Sequence, residues 1–188
     1  MISLRDIQAS RSIVEDLACH FDFNLDRASR DNSWIKMEPP TKFTVLAGES
    51  CGGVFLGYGD DEIERLPILY ATSEGQAGCL AAHLTELLGM MMAVPYWQDL
   101  LKFSGGGNLA EMRKAAEFME REYVLDFPDL PAAKKRIMAT LPIPAIPDPI
   151  QLLHERVSAT DCSVVADDGW RYESLFNDFK TSDNPRWR

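Results

Sequence analysis

The sequence predicts an α+β fold, an antiparallel or mixed central sheet packed against helices. Three observations predict it. Three short β-branched and aromatic runs lie about twelve residues apart between residues 42 and 72. A leucine- and methionine-rich stretch follows them directly, and the second half then shows helical spacing interrupted by prolines.

The elements follow in order. Ser3 with Asp6 has the form of a capping box, and Ile13, Val14, Leu17, Ala18 and Phe21 recur at helical spacing, so a helix ends near His20. Residues 24–32 are polar and read as a loop. FTVLA at 43–47, VFLGY at 54–58 and ILYA at 68–71 read as strands. Their connections are too short for crossover helices, which favours an antiparallel meander. Residues 78–94 read as one buried helix, apolar on nearly every side. A short helical piece over 96–103 ends at the break Ser104-Gly105-Gly106-Gly107. Asn108 with Glu111 then starts a helix through Tyr123, and Pro131 starts another through Ala139. Pro142, Pro144, Pro147 and Pro149 keep the next stretch extended, and Asp148 restarts a helix to Ser158. Terminal strands are expected over 162–175, with a loose tail from Thr181. The helical C-terminal half therefore covers 108–158, and the whole chain, 1–188, is expected to be a single domain.

Composition narrows the function. The 188 residues carry 29 acidic and 19 basic side chains, a net charge of −10. With a pI near 4.7, the chain lacks the positive charge with which nucleic-acid binders neutralise phosphates. No apolar run reaches the roughly 18 residues of a membrane span, and the start has no signal-peptide pattern, so a cytoplasmic location is expected. Cys19, Cys51, Cys79 and Cys162 lie far apart and read as reduced thiols.

Several patterns could carry chemistry. Cys79 and His83 share a helix face if 78–94 is helical, but no second ligand pair accompanies them, so no metal and no cofactor is expected. Cys51, in the turn Glu49-Ser50-Cys51-Gly52-Gly53, would need a histidine from elsewhere to become a nucleophile. Gly105-Gly106-Gly107-Asn108 precedes a helix yet lacks the Lys-Ser/Thr of a phosphate loop. No catalytic set is expected. Tyr96 and Trp97 read as aromatics plugging the core edge. Asp60, Asp61, Glu62 and Glu64 concentrate charge on one loop and form the candidate protein-binding surface.

The segments FTVLAGESCGGVFLGYG, LPILYATSEGQAGCLAAHLTELLGMMM and PYWQDLLKF, spanning 42–103, resemble the central strands and following helix of the SUKH superfamily. That superfamily includes bacterial immunity proteins, fungal cell-wall regulators and the Syd protein. Its Pro…Asn-Gly pattern is not recognisable over residues 22–40, and residues 109–179 extend beyond its common core. The resemblance implies an α+β fold and protein binding without catalysis, most readily as an immunity-type protein that neutralises a toxin, here a basic toxin domain, by direct binding. The alternatives are a small-molecule-binding sensor and a cysteine-dependent hydrolase using Cys51 or Cys79.

Overall fold

The computed structural model describes residues 1–29 and 33–187. The fold is α+β: a four-stranded antiparallel sheet packed against helices. The sheet order is β2 (Phe43–Gly48), β3 (Val54–Tyr58), β4 (Ile68–Ala71) and β5 (Ala77–Ala81), each strand beside its neighbour in sequence. The β2–β3 and β4–β5 ladders each shift register once, at Leu46 and at Leu80. A second, two-stranded sheet pairs β1 (Lys36–Glu38) with β6 (Ser163–Val165).

Side chains alternate between two cores. Phe55, Ile68 and Tyr70 join the main core with the helices, whereas Val54, Leu56, Leu69 and Ala71 face a smaller cluster with Met37 and Val164 from the β1–β6 sheet. Burial on both faces explains why the strands read as continuous apolar runs and not as alternating ones.

The expected N-terminal helix is two helices, α1 (Leu4–Gln8) and α2 (Arg11–His20), and the Ser3–Asp6 capping box is present. The loop expected over 24–32 contains a 3-10 turn at Leu25–Ser29, and residues 30–32 lie outside the described residues.

The helix expected over 78–94 needs correcting. Its first part is the strand β5, whose Cys79 pairs with Leu69, and the helix α3 spans only Leu84–Ala93. A five-residue buried strand of small apolar residues has no periodicity that separates it from a helix. The local start signal lies at His83, whose Nδ1 accepts the Glu86 N–H at 3.1 Å, while Glu86 Oε1 accepts from Ala82 N–H at 2.8 Å. Apart from half-buried Glu86 and exposed Ala93 at its end, α3 is buried on every side. Pro144 and Ile146 lie against it, and Pro144 O would stand 3.1 Å from a Cβ at Gly89.

The remaining helices are α4 (Trp97–Lys102), α5 (Leu109–Asp126), α6 (Leu130–Thr140) and α7 (Pro149–Ser158), close to expectation. Two further expectations fail. Of the strands expected over 162–175, only β6 forms, and Arg171 makes a single bridge to Val165. The expected loose tail is anchored: Thr181 and Trp187 are buried, and Glu111 Oε1 accepts both the Thr181 N–H at 2.7 Å and its hydroxyl at 2.5 Å.

Candidate functional site

The four loop acids lie between β3 and β4. Asp60 accepts from Lys42 Nζ at 2.8 Å, and this contact raises the Lys42 ammonium above its ordinary value through hydrogen bond and charge. Asp61 and Glu62 are exposed, and Glu64 sits half-buried in a 3-10 turn with Ile63 and Arg65. Asp161, remote in sequence, joins them. Its Oδ1 accepts from the Tyr58 hydroxyl at 3.2 Å, and with Tyr58, Asp60 and Asp61 it lines a cleft of about 250 Å³. One end of the sheet thus carries a concentrated negative field, which speeds encounter with positively charged surfaces.

The thiols and imidazoles are dispersed. Cys79 lies in β5 and His83 caps α3, so they share no helix face. Burial pushes the Cys79 thiol up, and burial first and the Asp161 charge second push Cys162 up to about 11. A thiol nucleophile needs the opposite shift. His154 bonds Gly107 O at 2.8 Å. Cys51 is exposed in a hairpin turn that its neighbours fix: Asp22 accepts from Ser50 N–H at 2.8 Å and from its hydroxyl at 2.6 Å, Arg27 donates to Glu49 O, and Ser73 donates to Cys51 O at 3.0 Å. Among the described residues no group of three potential metal ligands converges. Iodoacetamide at about pH 8 is expected to label Cys19 and Cys51 in the folded chain and all four thiols after denaturation, as counted by mass spectrometry. Equal labelling of Cys162 in the folded chain would contradict its raised pKa.

The glycine break is also occupied by the chain itself. Gly105 N–H donates to Phe179 O and Gly106 N–H to Asn177 O, both at 2.8 Å, and the Asn108 side chain accepts the Ala110 and Glu111 amides. The amides that an anion would need are therefore already engaged.

At the end of the sheet, the buried Glu49 carboxylate accepts from Gly53 N–H at 3.1 Å and from Gln98 Nε2 at 3.2 Å, and Gln98 also donates to the Tyr70 hydroxyl at 3.2 Å. Burial and the Glu49 charge raise the Tyr70 phenol. These three side chains line a cleft of about 650 Å³ with Cys51 and Lys102.

The apolar site lies on the helices. Met112, Ala115, Ala116 and Met119 make the buried stripe of α5, and Leu130, Ala133 and Ile137 that of α6. Off those stripes, Val124 is 58% exposed, Leu125 80%, Phe127 43% and Met138 51%. Between the two helices runs a groove of about 590 Å³, lined by Tyr96, Tyr123, Val124, Pro131, Lys134 and Met138. Tyr96 and Tyr123 meet edge to face at 5.8 Å, and burial with the nearby Glu120 charge pushes Tyr96 up to about 12. Tyr96 and Trp97 are buried, as expected. This groove is not legible as a site in the sequence, because apolar residues on a helix read as core. The available signal was that Val124 falls off the period of the α5 stripe.

Among the described residues no helix is long and apolar enough to cross a membrane. Compared with known protein families, curated proteins and solved structures, the chain gives no match.

Proposed function

We propose that this chain is a non-enzymatic protein-binding module of the immunity type, which neutralises a toxin by direct binding. The observation that carries the reading is the open groove between α5 and α6, with Val124 and Met138 exposed along it. Exposed apolar side chains gathered about a concave, partly polar site are what a protein interface covers. The acidic loop of Asp60, Asp61, Glu62 and Glu64 supports the same reading as a steering surface toward a basic toxin domain. The sequence resemblance over 42–103 points to the same class of function.

A photo-crosslinking residue at Met138 is expected to capture the toxin encoded beside this chain, and co-expression is expected to protect the cell from it. Val124→Asp places a charge against the apolar contact and is expected to weaken capture at least about tenfold while leaving the circular-dichroism spectrum unchanged. Absence of both cross-link and protection would overturn the proposal.

The cleft at Glu49, Tyr70 and Gln98 favours a second reading, a small-molecule sensor, because its volume of about 650 Å³ suits a small ligand. Ligand-dependent thermal stabilisation that Gln98→Ala abolishes would support it.

A further inference from the structure

We infer that the α5–α6 groove docks an amphipathic helix of the protein partner, with a carboxylate of that helix facing Lys134 and Lys135. The inference rests on the protein-binding reading and adds the chemistry of what is bound. The groove is walled by two helix faces. On α5, Glu120, Tyr123 and Val124 line it at i, i+3 and i+4, and on α6 Pro131, Lys134, Lys135 and Met138 line it at i, i+3, i+4 and i+7. Two helices so placed leave the trough into which the side-chain ridges of a third helix pack.

Charge selects the occupant. The chain as a whole carries 29 acidic against 19 basic side chains, yet two of the three charged residues lining this groove are lysines. Other nearby cations are engaged: Arg136 makes a two-pronged pair with Asp16, at 2.8 and 2.6 Å, and Arg121 lies over the Phe118 ring. Lys134 is half-buried, and burial lowers its ammonium pKa, with Glu120 only partly offsetting this. An incoming carboxylate compensates that desolvation by favouring the charged ammonium, whereas an incoming cation is repelled.

Selection of a displayed library of amphipathic helical peptides on the folded full-length chain tests this. Enriched peptides are expected to carry apolar residues at i, i+3, i+4 and i+7 with a flanking Asp or Glu. Their affinity is expected to fall at least tenfold on Val124→Asp. Changing the peptide acid to its amide is expected to weaken binding to the native chain but not to the Lys134→Gln, Lys135→Gln variant. Enrichment of basic peptides, binding indifferent to Val124→Asp, or self-association of the chain that Val124→Asp abolishes would each overturn the inference. A toxin that protects and cross-links through Asp60 to Glu64, with no acidic helix selected, would overturn the inference while leaving the protein-binding reading intact.

Discussion

Replacing Trp97 by alanine is expected to destabilise the fold by about 3–5 kcal/mol, the range for truncating a large buried aromatic. Only 2% of Trp97 is exposed. Its ring meets Tyr70 at 5.1 Å and Phe55 at 6.2 Å, and Phe55 meets Phe23 at 5.0 Å. These aromatics join three parts of the chain: Phe23 after α2, the sheet strands β3 and β4, and the first residue of α4. Removing the indole opens a cavity on the helix-facing side of the sheet, beside the cleft that Trp97 lines with Tyr70 and Gln98. Chemical denaturation should show a lower midpoint with an unchanged slope, because the unfolded surface stays the same. Trp97→Phe is expected to recover most of the loss by keeping an aromatic edge against Tyr70. A loss below about 1 kcal/mol for Trp97→Ala would show that the indole is not central to the core.

What the sequence made legible, and what it did not, follows from how far the deciding contacts reach. Residues 43–48, 54–58 and 68–71 announce themselves as strands because β-branched and aromatic side chains fall between glycine-containing turns. β5 does not, because Ala77–Ala81 is short, small and buried, and only its pairing with β4 makes it extended. β1 is three residues long, and its partner β6 lies in the last quarter of the chain, so no local pattern marks it. The C-terminal tail reads as polar, but Glu111, on α5, supplies the acceptor that orders Thr181. The candidate site divides in the same way. Four loop acids are visible within five consecutive letters, whereas Asp161 reaches them only through the fold. The α5–α6 groove is a property of two helices side by side, and its mark in the sequence is limited to Val124 falling off the α5 stripe.

Gly107→Ala is expected to destabilise the chain by about 3 kcal/mol, whereas Gly169→Ala is expected to lose only about 1 kcal/mol. Both glycines have positive φ, 84° and 87°, so both substitutions carry the conformational strain of an L-residue there. They differ in surroundings. A Cβ at Gly169 meets nothing within 4 Å, while one at Gly107 would stand 2.8 Å from Cδ2 of Phe176. Phe176 packs against His154 with centroids 5.5 Å apart, and His154 Nε2 in turn bonds Gly107 O, so the ring cannot yield without disturbing the join between α7 and the C-terminal segment. Next to it, Gly105 and Gly106 tie residues 177–179 to the end of α4, and Glu111 ties down Thr181. Displacing Phe176 should therefore loosen the whole terminal segment as a unit. Amide hydrogen exchange is the direct readout: with denaturant adjusted so that the two variants have equal global stability, the amides of Gly105, Gly106 and Thr181 are expected to exchange faster in Gly107→Ala than in Gly169→Ala. Equal losses in the two variants, with unchanged exchange at Thr181, would mean that backbone strain alone sets the cost. The glycines at 105–107 would then serve the turn and not the anchoring of the tail.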